Sequence, residues 1–379
     1  MSNDHDNQDS ATIDPYKILF PVGIFSALLS VFLWVFYSAQ IISFYPRSSH
    51  SNLMFFGFFW AFISAFLITA VHKMTSTRAA TFVEIGASVL LIILQMLLNF
   101  LNFIDYSLCV FILQIAAVLF FGVPRILQYG KIPFSGFVFI PVAFLQAAIS
   151  ILIYLGSSAG HFQELKIFWT EALVLNLIFG LGSRLVPVIT RVKNAISPDQ
   201  GTAVNNWPLS FLVLALLNAG YYSEVFYNKE IGIFLRLLAI ATVSIFQFKI
   251  FSDVVTSGYL GKMIRTSVLC IFLGQLLSIP KLGMNLSGAH VLYVSGLALM
   301  TVLIAFRVIL AHGKSDINYE LSGKKIPLVA ALFVGAAIFR FLMKSDLTGS
   351  LFWITVLLFT FGLIVWMFKF LKVSYPLKR

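Results

Sequence analysis

The chain has 379 residues, of which 59% are hydrophobic and only 11% are charged, and its mean hydropathy is +0.94. This composition excludes a soluble globular domain, because apolar stretches of this extent need lipid rather than water around them. The formal net charge of +11 would suit nucleic-acid binding, so the positions of the charges must decide. Residues 1–16 are polar and acidic and lack Lys and Arg, which predicts a disordered tail rather than a signal peptide.

Apolar runs of about 18–25 residues, the length that crosses a bilayer as a helix, recur along the whole chain. They predict an all-α fold, a polytopic membrane bundle of about twelve transmembrane helices. The longest connection, 191–207, joins two sets of six spans within one transmembrane domain, 17–373, and residues 374–379 form a tail. The predicted spans are 18–40, 52–72, 81–101, 106–125, 134–156, 166–187, 208–227, 230–250, 263–280, 288–311, 325–343 and 349–371.

Lys and Arg residues are distributed unevenly among the predicted loops. If the N-terminus is cytoplasmic, nineteen of the 26 lie on the inner side, five lie on the outer side, and Arg236 and Arg340 lie within spans. The positive-inside rule therefore places the N- and C-termini in the cytoplasm. Because the basic charge is explained by topology, the expected partner is the lipid bilayer and not a nucleic acid.

Four histidines lie at the ends of two predicted spans. His50 and His72 flank the second span, and His290 and His312 flank the tenth. The members of each pair are 22 residues apart, which is roughly 33 Å along a helix, so they cannot ligate the same metal ion. Each histidine is either a solvated or hydrogen-bonded interfacial side chain or a ligand, since neutral imidazole binds haem iron and copper.

Polar residues also follow one side of the tenth span. At about 100° per residue, His290, Thr301 and His312 fall within about 40° of one another and Arg307 lies about 100° from His290, so the four form a broad polar stripe that is expected to face the bundle interior. Arg307 is either a snorkelling anchor or a partner for the anionic groups of a cofactor.

Arg236 and Arg340 lie in the predicted outer half of the membrane, where cations oppose the charge rule. We expect each to pair with a carboxylate such as Glu171 or with an anionic cofactor group. Glu84, at the start of the third span, is expected to pair with Arg78.

Three stretches of the chain are distinctive: "HSNLMFFGFFWAFISAFLITAV" (50–71), "GSRLVPVIT" (182–190) and "GAHVLYVSGLALMTVLIAFRVILAHGKSD" (288–316). They resemble the NnrS family of twelve-span bacterial membrane proteins. The likeness covers the whole membrane region. The matching positions are His50, Met54, Gly57, Gly182, Arg184, Pro187, Thr190, His290, Met300, Arg307, His312 and Gly313.

The resemblance implies haem b, and also copper, in a protein of nitric oxide metabolism or nitrosative stress at the bacterial inner membrane. Nitric oxide or a nitrosylated metal species is the small-molecule partner that the resemblance implies. His290 and His312 are the foremost metal ligands that it implies, followed by His50 and then by His72 and His161. The cofactor-binding residues that follow from the resemblance and the charge pattern are Arg184, Arg307, Arg236 and Arg340.

The resemblance leaves the catalytic residues, and whether the protein turns over a substrate, undefined. The chain departs from the family pattern where Asn52 and Leu53 replace a second His and a Glu, and where His72 stands at a usual Pro.

Two other classes share the span count. A secondary transporter fits the layout, but the loop HKMTSTRAAT (72–81) lacks a Gly-x-x-x-Asp-Arg pattern and the two halves show no visible similarity. The catalytic subunit of a haem–copper oxidase is excluded, because the predicted sixth and seventh spans contain no histidine.

Overall fold

The structure is a computed structural model that describes residues 14–130, 134–157, 163–193, 206–312, 318–343 and 349–375. Twelve helices in these ranges are long and apolar enough to cross a membrane, which confirms the predicted all-α polytopic bundle. The same ranges contain no β-strand, only an isolated antiparallel bridge between Val192 and Val254. The helices are α1 Pro15–Ser38, α2 Arg47–Thr75, α3 Phe82–Phe100, α4 Ile104–Tyr129, α5 Ser135–Gly156, α6 Phe168–Ile189, α7 Trp207–Phe226, α8 Lys229–Gln247, α9 Tyr259–Leu277, α10 Leu286–His312, α11 Lys325–Leu342 and α12 Ser350–Ser374.

The predicted spans and the observed helices differ by at most five residues at either end. The largest difference is at α2, which begins at Arg47, so that His50 lies in its first turn. Helix α1 begins at Pro15, a residue suited to the first helical position. Tyr16, predicted to belong to the tail, is fully buried. Residues 1–13 of the predicted tail lie outside the described residues.

The described chain packs as two compact units. The first contains α1–α4, and the second contains α5–α12. The grouping into two sets of six spans stays a prediction, because residues 194–205 of the proposed connection lie outside the described residues. The cytoplasmic placement of both termini stays a prediction as well.

Helices α2, α6 and α10 share two features that set them apart from the rest. In the apolar 18-residue core of each, 78%, 72% and 67% of residues are buried, against 33–44% in the other nine helices. Each also has a π-helical segment near its start, at Leu53–Phe59, Phe168–Ala172 and Val291–Ala298, whereas the π segment of α8, Val243–Gln247, lies at its end. Such segments are uncommon and often lie at functional sites. The four candidate histidines and Glu171 all lie on these three helices.

The π segment of α2 is held by close packing against α1. The Ser26 hydroxyl donates to the Leu53 carbonyl at 2.8 Å. A Cβ added to Gly57 would lie 1.8 Å from Ser26 Oγ, so only glycine fits there. Stacking of Phe56 on Phe111, with ring centroids 4.0 Å apart, brings α4 against the same face. Helix α2 is therefore enclosed by its neighbours within the first unit.

Glu84, at the start of α3, joins two arginines. Its carboxylate closes a capping box with Thr81 and accepts from Arg125 Nη2 at 3.1 Å and 3.3 Å. Arg78 Nη2 lies 3.4 Å from Oε1, which confirms the expected pair. Arg125 is 5% exposed and Arg78 is 71% exposed. The buried partner was not expected from the sequence.

In the second unit, glycines allow α7 and α8 to approach closely. A Cβ on Gly220 would lie 2.7 Å from Arg236 Cγ and 2.8 Å from the Gly232 carbonyl oxygen. A Cβ on Gly232 would lie 2.5 Å from the Gly220 carbonyl oxygen. Small residues at such crossings are the usual means by which membrane helices pack. Here they place the buried side chain of Arg236 beside α7.

Candidate functional site

His50 is anchored to α1 through one ring nitrogen. Its Nδ1 lies 3.0 Å from the Ser30 carbonyl oxygen and 2.8 Å from Ser30 Oγ. The Ser30 hydroxyl in turn donates to the His50 carbonyl at 2.9 Å, and the ring stands edge-on to Trp34. Because a carbonyl oxygen only accepts, Nδ1 carries the proton. The lone pair of this half-buried imidazole is therefore on Nε2.

His72 and His290 have the same arrangement within their own helices. Nδ1 of His72 lies 3.2 Å from the Ile68 carbonyl oxygen, and Nδ1 of His290 lies 2.8 Å from that of Leu286. Both side chains are half-buried. Histidines that ligate metals through Nε2 almost always donate Nδ1–H to a carbonyl or carboxylate. Three of the four candidate histidines thus present the tautomer that ligation requires.

His312 is the last residue of α10 and is half-buried. The predicted polar stripe that would link it to His290 does not hold along this helix. Residues Val291–Ala298 are π-helical, with more residues per turn than an α-helix, so a count of about 100° per residue fails across them. His290, Thr301, Arg307 and His312 are each half-buried rather than buried in the interior.

Arg307 belongs to a cluster at the far end of α10 from His290. Its Nε lies 3.3 Å from Oε2 of Glu320, whose Oε1 pairs with Nη2 of Arg191. Glu320 is 6% exposed and lies in the short helix Tyr319–Ser322. Beside it, burial raises the pKa of the Tyr319 phenol, and Lys369 Nζ lies 3.5 Å from that ring. Two cations around one carboxylate leave this cluster with a positive formal charge.

Arg184 lines a cleft between the ends of α6 and α8. Lys249 contributes a second cation, and Gln247, Ser183 and Ser135 contribute polar atoms. Gln247 donates to Ser210, which donates to Ser135, while Gln247 Oε1 has no hydrogen-bond partner among the described residues. Two cations with a buried acceptor make this cleft suited to an anionic group that also carries a donor.

Arg236 is 2% exposed and lies among carboxylates rather than facing the outside. Its Nε is 3.8 Å from Glu171 Oε1, and its Nη2 pairs with Glu224 Oε2. Of the two alternatives that the sequence left open, the structure shows the pairing with Glu171. Its guanidinium carbon lies 4.6 Å from the centre of the Tyr221 ring.

Sequence reasoning missed most of this cluster. The signal that was available is Glu224, a carboxylate within a span, because intramembrane charges are rare and need partners. Arg340, the fourth candidate arginine, is half-buried in the last turn of α11. Within the described residues no contact joins Arg184, Arg236, Arg307 and Arg340 in one site, and His161 lies outside those residues.

No group of three His, Cys, Asp or Glu side chains that could hold a metal ion occurs among the described residues. One or two imidazoles suffice for haem iron, whereas a three-ligand copper site would need such a group. The described histidines therefore offer imidazole nitrogens singly, as haem iron can use them.

Across the described part of the chain, the fold and these clusters define a polytopic membrane protein with twelve candidate spanning helices and with charged side chains buried among them. The family model described as "NnrS protein" matches residues 12–375 of the chain. The chain belongs to the NnrS family. A search of curated proteins found no match.

Proposed function

We propose that this protein is a haem-binding membrane protein of the bacterial inner membrane that acts in nitric oxide metabolism or in protection against nitrosative stress. Family membership supports the class of function. The observation that carries haem binding is the shared state of His50, His72 and His290, whose Nδ1 atoms donate to carbonyl oxygens. In that state the lone pair that a metal ion would bind is on Nε2.

Histidines are proposed to bind the haem iron, and arginines are proposed to bind the anionic groups of the haem. His290 and His312 are the foremost residues that would bind the iron, with His50 and His72 as further candidates, and the four lie at separate helix ends. Because His290 and His312 lie at opposite ends of α10, they serve different centres. Bound haem would supply an iron that coordinates nitric oxide.

Anionic groups of the cofactor need cations, and Arg184 with Lys249 is the pair best suited to them. Both side chains line one cleft, and the neighbouring Gln247 oxygen accepts a donor. Arg307, which shares a carboxylate with Arg191, Arg236, which contacts two carboxylates, and Arg340 stay candidates for the same role. Copper stays a second proposal.

The test is the optical spectrum of the purified full-length chain from haem-sufficient cells, with and without nitric oxide. We expect a Soret band that shifts on adding nitric oxide and loses intensity in His290→Ala or His312→Ala. Thr301→Val is the matched control, because Thr301 lies between them on α10 and bonds only locally, to the Leu297 carbonyl at 2.8 Å.

Exogenous imidazole separates ligation from folding. It should restore the band of an alanine variant whose missing side chain was a ligand. Metal analysis of the same samples tests for copper. A folded, colourless wild-type protein would contradict the proposal, as would alanine variants with unchanged spectra at all four histidines.

The proposed topology, with both termini cytoplasmic, has a separate basis. The excess of Lys and Arg in alternate loops supports it. A fluorescent protein that folds only in the cytoplasm, fused after Arg379, should fluoresce, and a dark but membrane-inserted fusion would contradict this orientation.

A further inference from the structure

Glu171, in the π segment of α6, lies at the centre of a buried polar cluster in the second unit. Tyr293 donates to Oε2 at 2.8 Å, and Tyr221 donates to Oε1 at 3.2 Å. The amide of Gln275, with its nitrogen toward Glu171, donates to Oε1 at 3.2 Å. Glu171 is 6% exposed, so these contacts come from α7, α9 and α10 without much access to the surroundings.

The neighbouring guanidinium is divided unequally between two carboxylates. Arg236 Nη2 makes its close ion pair with Glu224, while Nε stays 3.8 Å from Glu171. The oxygen of Gln275 accepts from Nε at 3.1 Å and from Nη2 at 2.9 Å. Nη1 is buried and has no hydrogen-bond partner among the described residues. The cluster is therefore not a fully satisfied ion pair.

The net charge of the buried trio Glu171, Arg236 and Glu224 decides whether one of its carboxylates binds a proton. Glu171 and Glu224 would carry two negative charges against the single positive charge of Arg236. Lys229 Nζ lies 3.7 Å from Glu224 Oε1, but the lysine is 46% exposed, and an exposed partner compensates only weakly. A net charge within a low-dielectric interior is costly and is normally neutralised.

We propose that the Glu171–Arg236–Glu224 trio is an intramembrane proton-binding site, with the exchangeable proton on Glu171. Glu224 makes the close ion pair with Arg236 Nη2, whereas Glu171 is no closer than 3.8 Å to this guanidinium. A protonated carboxyl needs an acceptor, and the Tyr293 hydroxyl can accept as well as donate. Glu171 therefore keeps a hydrogen-bond partner in either state.

Every packed element near Glu171 is consistent with this assignment. Helix α7 presents Tyr221 and Glu224, α8 presents Arg236, and α10 presents Tyr293. Helix α5 packs on the same segment through Tyr154, whose ring contacts Trp169. This helix contains no Asp, Glu, Lys, Arg or His. Glu224, 14% exposed and one turn from the end of α7, lies between the site and the exposed Lys229. Protons therefore reach Glu171 past this carboxylate.

Infrared spectroscopy of the full-length protein tests the site without any cofactor, so its result is separate from that of haem binding. A protonated buried carboxyl gives a carbonyl stretch, distinct from the amide bands, that moves to lower frequency in D₂O. We expect one such band in the wild type and its loss in Glu171→Gln. Tyr293→Phe keeps every charge and should shift the band, which places the proton on Glu171 rather than on Glu224.

Two further variants test the charge argument. Glu224→Gln leaves one carboxylate with one guanidinium, so the proton should leave and the band should disappear. Glu320→Gln is the matched control, because Glu320 is equally buried but pairs with two arginines, and the band should persist. The proposal is overturned if the wild type lacks the band, if Glu171→Gln retains it, or if Tyr293→Phe leaves its frequency unchanged. Should Glu171→Gln fail to fold, the Tyr293→Phe shift still decides.

Discussion

Glu84 offers a direct comparison between a buried and an exposed ion pair, because Arg125 and Arg78 share its carboxylate. Arg125 is 5% exposed and also donates to the Phe121 and Arg78 carbonyls, with its guanidinium carbon 3.7 Å from the Phe121 ring centre. Removing one partner of a buried pair costs about 3–5 kcal/mol. Since Glu84 would keep Thr81 and Arg78, we expect Arg125→Met to cost about 3 kcal/mol, at the lower end of that range.

Arg78→Met is the matched substitution on the same carboxylate. Arg78 is 71% exposed, and exposed pairs contribute about 0–1 kcal/mol. The assay is denaturation of the full-length protein in detergent by increasing SDS, followed through helicity and tryptophan fluorescence. The two variants should differ by about 2 kcal/mol or more in the free energy of unfolding. Equal losses, or a larger loss for Arg78→Met, would refute the argument that burial decides the strength of these pairs.

Two further substitutions follow from the same unfolding assay. Gly57→Ala should cost about 2–4 kcal/mol, because its Cβ would lie 1.8 Å from Ser26 Oγ and the Ser26 hydrogen bond would be lost as well. Gly122→Ala, where a Cβ meets nothing within 4 Å, should be neutral or stabilising, and an equal loss at both glycines would argue against the packing explanation. Glu320→Gln should cost about 1–3 kcal/mol, less than Arg125→Met, because Arg307 and Arg191 are each about a quarter exposed and can be solvated. A greater loss for Glu320→Gln would contradict this ranking.

Some local ion pairs were accessible from the sequence, and others were not. Glu84 and Arg78 are six residues apart beside one helix start, so their pairing could be predicted. Arg125 reaches the same carboxylate from α4, 41 residues along the chain from Glu84, and depends on how α3 and α4 pack. The pairing of Arg236 with Glu171 was one of two alternatives, and it depends on how α6 and α8 pack.

The sequence by itself determined the class of this protein, the number of its spans and its family. Spans are readable because each must supply an apolar run long enough to cross lipid, and that requirement is local in sequence. The resemblance of His50, Arg184 and His290 to family positions is also read from short stretches of sequence. The family match confirms the membership.

Only the tertiary structure decided which helices are enclosed and which charges meet. The π segments of α2, α6 and α10 depend on contacts such as Ser26 to Leu53, and they change the angular register that a uniform helical count assumes. The burial of Glu171 with Arg236 and Tyr293 joins three helices that are far apart in sequence. Hydropathy indicates that a charge lies within the membrane, but its partner is fixed by packing, because any helix can in principle neighbour another in lipid.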